Sequence, residues 1–166
     1  MKVVKKLIAA SLILAMVLAI DMTAFAATVT FPTDMDDHDF FAYQIFKGDQ
    51  DTTDTTKTDN WPLCNVEWGS GIDVEAFLGD LKEDGTIGDD FDGITYDAAK
   101  ANESAEAVAK VMSGYADGSD KAEIIAKLAL ANIKSGTGID LTDADPDDGT
   151  LTLDDGYYLI VDASDE

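Results

Sequence analysis

The alternation of apolar and polar positions predicts β-strands near both ends of the chain and helices between them. Residues 40–47, FFAYQIFK, place apolar side chains on both faces of a strand. One predicted face holds Phe41, Tyr43, Ile45 and Lys47, and the other holds Phe40, Ala42 and Phe46. A strand that is apolar on both sides is predicted to be central in its sheet. GYYLIV, at residues 156–161, predicts a second buried strand, and CNVEWG and TLTL predict shorter ones.

Three segments between these strands have helical periodicity. DVEAFLGDLKEDG has Asp73 as a predicted N-cap and an apolar face formed by Val74, Phe77, Leu78 and Leu81. SAEAVAKVMSG repeats this spacing, with Ser104 as its predicted N-cap. DKAEIIAKLALANIKSG opens with Asp120 and Glu123 in a capping-box arrangement, and its apolar residues nearly encircle it, which predicts the most buried helix. The predicted class is α+β, with the first and last strands in one sheet.

The N-terminal segment has the order of a secretory signal. Three lysines precede an apolar run at residues 7–20, and small residues then flank Phe25 up to Ala26. We predict cleavage after Ala26. A retained membrane anchor is the alternative, but the run has 14 residues, whereas a spanning helix needs about 20. The predicted organisation is a signal peptide at 1–26, an acidic segment at 27–37 and one domain at 38–166.

The charge of the chain excludes some partners. The formal net charge is −23, and it becomes −25 once the three Lys and one Asp of residues 1–26 are removed. There is no Arg in the sequence. Nucleic acid is therefore excluded as a partner, because its phosphates would be repelled and no guanidinium is present to bind them. High acidity is typical of a soluble exported protein whose copies repel one another.

Cysteine and metal chemistry have few candidates. Cys64 is the single cysteine, so an intrachain disulfide is excluded, and we predict that it is a small buried side chain. DADPDDGTLTLD is similar to a calcium-binding EF-hand loop, with candidate ligands Asp143, Asp145, Asp147 and Asp154. Asp148 stands where that loop requires glycine. Calcium is thus a weak alternative, and no cofactor is expected.

Catalytic motifs are not found in the sequence, and we expect a protein that is not an enzyme. His38 is the only histidine, and no serine lies in a G-x-S-x-G elbow. A hydrolase using His38 is a minor alternative. A lysine buried beside a carboxyl or carboxamide can condense with it, and Lys47, on the apolar first strand, is the candidate for such an isopeptide crosslink. The alternative is that Lys47 ends a strand with its ammonium in water.

The motifs in their order resemble a known family. HDFFAYQIFKGD, CNVEWGSGI, AEAVAKVMSG and LTLDDGYYLIVDAS follow a signal peptide, as in the N-terminal domain of the major pilins, the fimbrial backbone subunits that sortases assemble in Gram-positive bacteria. The resemblance covers about residues 38–164. It implies a partial immunoglobulin-like β-sandwich with a helical insertion of about three helices, and internal isopeptide bonds, for which Lys47 is carried over.

The resemblance also implies partners and a location. A sortase transpeptidase would join this subunit to other pilin subunits, and the full-length protein would be linked to peptidoglycan at the cell surface, where pili serve adhesion. The sequence has no LPxTG-like motif, so we expect the domain at 38–166 to be truncated at its C-terminal end. After signal cleavage no membrane contact is expected. A secreted acidic module that binds calcium or carbohydrate is the alternative function.

Overall fold

The protein has an α+β fold built on an antiparallel four-stranded sheet. The computed structural model of the chain describes residues 27–30, 39–50, 63–116, 118–141 and 150–163. The strands are β1 (Ala27–Thr30), β2 (Phe40–Gln50), β3 (Leu63–Trp68), β4 (Ile139–Asp140), β5 (Thr150–Leu153) and β6 (Gly156–Asp162). The helices are α1 (Val74–Glu83), α2 (Ala101–Met112) and α3 (Asp120–Ala131), with short 3₁₀ turns at Gly88–Phe91 and Ala98–Lys100.

Strand β2 is central, as its two apolar faces predicted. Strand β6 pairs along one edge, from Phe40 opposite Asp162 to Lys47 opposite Gly156. The other edge is shared by β3, at the C-terminal half of β2, and β4, at its N-terminal half. The prediction that the first and last predicted strands lie in one sheet is therefore confirmed. The helices occupy the sequence between β3 and β4.

A β-bulge in β2 reverses the predicted alternation of its side chains. Gln44 lies opposite Tyr158 and Phe46 opposite Tyr157, so β2 has one extra residue, Ile45, at this point. Ile45 and Phe46 consequently both join the core that contains the helices. The assignment of Phe46 to the other face was wrong, because each residue after an inserted one changes face.

Two glycines let the chain after β3 continue alongside this bulge. Gly69 N–H donates to Ile45 O at 2.8 Å, and Gly71 N–H donates to Gln44 O at 2.9 Å. A Cβ atom at Gly69 would lie 2.2 Å from Gln44 O, and one at Gly71 would lie 2.6 Å from Gln44 N. Glycine is thus required at both of these positions in WGSG, because the two backbones lie so close together.

The helices pack on one face of the sheet. The α1 side chains predicted to face the core, Val74, Phe77, Leu78 and Leu81, are all buried, and Asp73 is the N-cap as predicted. Helix α2 is joined to β3 by Trp68 Nε1, which donates to Ser104 Oγ at 2.9 Å. Asn132, just after α3, donates from Nδ2 to Asp80 Oδ2 of α1 at 2.7 Å. None of the helices in these described ranges is long and apolar enough to cross a membrane.

Two predicted helix starts were wrong. Helix α2 begins at Ala101, so Ser104 lies inside it, where its hydroxyl donates to Ala101 O and accepts from the Trp68 indole. In α3 the N-cap is Ser119, whose Oγ accepts from Ala122 N, and Asp120 is the first helical residue. The prediction that α3 is the most buried helix is also not confirmed, since each of the three helices has four buried residues. The buried residues of α3 are mainly alanines, while its larger apolar side chains, Ile124, Leu128 and Leu130, are partly buried.

The sheet is covered on both faces. On the helical side the core includes Trp68, Phe77, Phe91 and Tyr157. The opposite face has a second apolar cluster of Phe40, Ala42, Leu141, Leu153, Tyr158 and Ile160. Leu153 comes from β5, which pairs antiparallel with β1 in a separate two-stranded sheet. Strand β5 confirms the predicted TLTL strand, whereas β1 and β4 were not predicted.

The outer edge of β6 has no partner strand among the residues that the structure describes. Even so, β6 is not open to solvent, since Tyr157 to Ile160 are only 3–9% exposed. The composition of GYYLIV therefore indicated correctly that the strand is buried.

Candidate functional site

Lys47 lies on the sheet face opposite to the helices. The bulge before it places Phe46 and its partner Trp68 in the helical core, and Lys47 with its partner Glu67 on the other side. Lys47 Nζ is 2.7 Å from Glu67 Oε2, and the two side chains are 53% and 50% exposed. An exposed ion pair of this kind adds less than about 1 kcal/mol to stability.

The surroundings of Lys47 bear on the predicted crosslink. The condensation requires a buried amine beside a carboxyl or carboxamide, and here the amine is half exposed beside the Glu67 carboxylate. The carboxamide of Asn65, on β3, donates to Asp49 Oδ2 at 2.9 Å. Asn65 has a φ of 51° at a second irregularity of the β2–β3 ladder. The crosslink at Lys47 stays a prediction.

The other candidate residues are mostly outside the described ranges. Asp143, Asp145 and Asp147 of the calcium-loop candidate lie outside them, as do His38, Ala26 and the signal peptide. Asp154 is exposed between β5 and β6, and its backbone O accepts from Tyr158 Oη at 3.0 Å. Across the described part of the chain, His, Cys, Asp and Glu form no group of three or more able to hold a metal ion. Cys64 is half-buried rather than fully buried.

A cluster that the sequence did not predict lies where three elements meet. Asp90 belongs to the 3₁₀ turn after α1, Tyr115 follows the end of α2, and Lys121 is in the first turn of α3. Asp90 Oδ2 accepts from Tyr115 Oη at 2.7 Å and from Lys121 Nζ at 2.5 Å. The Lys121 ammonium also lies 5.0 Å from the centre of the Tyr115 ring, within range of a cation–π interaction.

The cluster shifts the pKa values of Asp90 and Tyr115. The hydrogen bond from Lys121, followed by that from Tyr115, lowers the pKa of the Asp90 carboxyl below its usual value. Burial of the phenol, together with its hydrogen bond to Asp90, raises the pKa of Tyr115 far above the usual value for tyrosine. At neutral pH Asp90 is therefore a carboxylate and Tyr115 is a neutral phenol.

The same three elements surround an open depression in the surface. Its volume is about 680 Å³, and its lining residues are Asp90, Val111, Gly114, Tyr115, Ala116, Ser119, Asp120 and Lys121. Small-molecule sites in proteins commonly have volumes of about 300–1,000 Å³. The depression thus combines a volume in this range with polar side chains that hydrogen-bond one another.

A separate, partly buried hydrogen bond links β2 to the start of β6. Gln44 Nε2 donates to Tyr158 Oη at 2.9 Å. Burial, followed by the charge of Asp154, raises the pKa of Tyr158. This contact fixes the start of β6 against the β2 bulge and lines no described cavity.

The sequence contained little signal for the tyrosine cluster. Tyr115 and Lys121 are 25 and 31 residues from Asp90, so no short motif joins them. DDFDG, which contains Asp90, by itself indicates no more than a weak metal candidate. The cluster depends on the packing of α2 and α3 near the 3₁₀ turn, which a pattern of periodicity does not specify.

Comparison with known proteins identifies no relative of this chain. The chain was compared with family models, with curated protein sequences and with solved structures, and none of the three gives a match.

Proposed function

We propose that the chain is a non-enzymatic structural subunit of a Gram-positive surface pilus, exported and polymerised covalently by a sortase. In this proposal the full-length protein is linked to the cell wall and contributes to adhesion. The observation that carries the proposal is the long antiparallel ladder between β2 and β6. These strands contain AYQIF and GYYLIVD, the most specific elements of the resemblance, and the helices lie between them in sequence as that resemblance implies.

The two apolar clusters support a partial immunoglobulin-like sandwich. A sandwich requires a sheet whose second face is also covered by strands. Here the second face carries Phe40, Tyr158 and Ile160, and β5 contributes Leu153 to the same cluster. The two-stranded sheet of β1 and β5 is the proposed beginning of the second layer, and the helices are the proposed insertion.

The experiment for this proposal examines the bacterium that makes the protein. Cell-wall extracts are separated in denaturing gels and probed with an antibody raised against the purified chain. A covalent pilus gives a ladder of high-mass bands that survives boiling in detergent. Inactivation of the sortase should collapse the ladder to a single band. A single band in the normal strain, found only in the culture medium, would contradict the proposal and favour a secreted module.

The internal crosslink is tested separately by intact mass. Condensation of a lysine with Asn releases ammonia, about 17 Da, and with Asp it releases water, about 18 Da. We expect this loss in the folded full-length subunit, and Lys47→Ala should restore the unshifted mass if Lys47 is the donor. Lys100→Ala, which removes another lysine in an exposed ion pair, is the control. An unshifted mass in the normal subunit would exclude an internal crosslink.

A further inference from the structure

The depression beside Asp90 offers unused hydrogen-bonding groups to a ligand. Within the described structure, Asp90 Oδ2 accepts both of the hydrogen bonds to that side chain, which leaves Oδ1 available. Lys121 can donate three hydrogen bonds and makes one described hydrogen bond, to Asp90. The side chains of Asp90 and Lys121 are 38% and 42% exposed, so their remaining capacity faces the open space.

The charged side chains that line the depression disfavour ligands that carry a net charge. An anion would have to compete with Asp90 for Lys121 while lying near a second carboxylate, Asp120. A cation would have to displace the Lys121 ammonium, which is tethered beside Asp90 and therefore present at a high effective concentration. A neutral ligand can use the ion pair without breaking it.

The rest of the lining favours a ligand with both hydroxyl and C–H surfaces. Val111, Gly114 and Ala116 supply small apolar contacts beside the Tyr115 ring. A saccharide has hydroxyl groups that both donate and accept, which suits a wall containing an ammonium and two carboxylates. Its C–H groups suit the small apolar residues.

We propose that this depression, formed by Asp90, Tyr115, Asp120 and Lys121, binds a neutral saccharide. The Asp90 carboxylate and the Lys121 ammonium hydrogen-bond adjacent hydroxyl groups, and the ion pair between them keeps both oriented. Because the site is open, we expect weak binding of a single disaccharide, with a Kd on the order of 1 mM. The inference goes beyond the pilus proposal and does not depend on it.

The experiment titrates the ¹⁵N-labelled full chain with single saccharides followed by NMR. The probes are lactose, as an example of a host glycan, and di-N-acetylchitobiose, as an example related to the bacterial wall. Spermidine and sialyllactose are the cationic and anionic probes. We expect saturable shifts at residues 90, 114–116 and 119–121 with at least one neutral disaccharide, and which one binds distinguishes the source. The proposal would be overturned if only a charged probe gave saturable shifts at these residues. It would also be overturned if no probe gave them at concentrations up to 50-fold above ~1 mM.

Variants separate this site from general surface effects. Asp90→Ala and Lys121→Met should each weaken saccharide binding at least tenfold. Lys127→Met is the matched control, because it removes an exposed ion pair, with Glu123, from the same helix outside the depression. Circular dichroism checks that each variant is folded, and a variant that is not folded is replaced by Asp90→Asn or Lys121→Gln. Unchanged affinity in the folded Asp90 and Lys121 variants would overturn the site, whether or not the bacterium shows a pilus ladder, so the two proposals fail separately.

Discussion

At the scale of single residues, the bulge in β2 depends on two glycines of the segment after β3, because glycine has no side chain. Gly69 and Gly71 bring the backbone after β3 against the bulge so closely that no other residue fits without movement. The hydrogen bonds they donate continue the pairing of β2 beyond the end of β3. The close contact, rather than an unusual backbone conformation, explains why glycine stands at both positions.

Gly69→Ala is expected to lower the free energy of unfolding by about 2–3 kcal/mol, because its Cβ would overlap the Gln44 carbonyl. Gly79→Ala is the matched control at an exposed position of α1, where nothing lies within 4 Å of an added Cβ. That variant is expected to raise the free energy of unfolding by about 0.5–1 kcal/mol, because alanine favours the helix. Urea denaturation of both variants measures the difference. Equal effects of the same sign would contradict the close contact.

The tyrosine cluster predicts a loss of stability at alkaline pH. The pKa of Tyr115 is raised in the folded protein, chiefly by burial, so its contribution is fully present below the unfolded value of about 10. Above that pH the unfolded phenol loses its proton while the folded phenol keeps it, and the free energy of unfolding falls. Urea denaturation at pH 9 and pH 11 should show a smaller fall in Tyr115→Phe than in the normal chain. Tyr96→Phe, at an exposed position, should behave like the normal chain.

At the scale of elements, the three helices differ in how their N-termini are capped. Asp73 caps α1 and Ser119 caps α3, each through a side-chain oxygen that accepts from a backbone N–H three residues later. Helix α2 has no side-chain cap of its own and continues directly from the 3₁₀ turn, which Asp97 caps. Ser104 is thereby free to accept from the buried Trp68 indole and to join α2 to β3.

The start of α3 can be tested directly. Ser119→Ala is expected to lower the free energy of unfolding by about 1 kcal/mol, because it removes the N-cap. Asp120→Ala should lower the free energy of unfolding by about 0.5 kcal/mol or less, since it removes an acidic side chain from the first turn, where it interacts favourably with the helix dipole. Thermal denaturation of both variants ranks them. A larger loss in Asp120→Ala would restore Asp120 as the cap.

The comparison of prediction and structure is clearest in β2. Its place in the centre of the sheet followed from two apolar faces, and its place in one sheet with β6 was predicted, whereas the direct pairing of the two strands was not. The face occupied by Lys47 did not follow, because one extra residue at Ile45 reverses every later side chain and leaves no mark in composition. The Asp90–Tyr115–Lys121 cluster was missed for a related reason, since its members meet only through packing.

At the scale of the whole molecule, charge controls how copies interact. The net charge of −23 is accompanied by a sequence pI of about 4.1. The described lysines in ion pairs, Lys47, Lys100, Lys121 and Lys127, neutralise only a small part of the acidic surface. Copies of the chain therefore repel one another at neutral pH, and this repulsion depends on ionised carboxylates.

Acidification should remove this repulsion. We expect a monomer at pH 7 and low salt, and reversible association as the pH approaches 4.1. Sedimentation velocity across this range provides the measurement. At pH 7 with 1 M salt, where charges are screened beyond about 3 Å, association should also increase. A monomer under all three conditions would show that repulsion is not what keeps the copies apart.

The register of the central ladder has a mechanical consequence. Phe40 pairs with Asp162, and Ala163 N–H donates to Asp39 O, so the start of β2 and the end of β6 lie side by side. Tension between residues 39 and 163 would load the hydrogen bonds one after another, as in a zipper. Tension between 39 and 156 would shear them together, and single-molecule pulling should find the second geometry stronger. A fibre that carried tension between residues 39 and 163 would therefore need a covalent crosslink between β2 and β6 to keep the two strands paired.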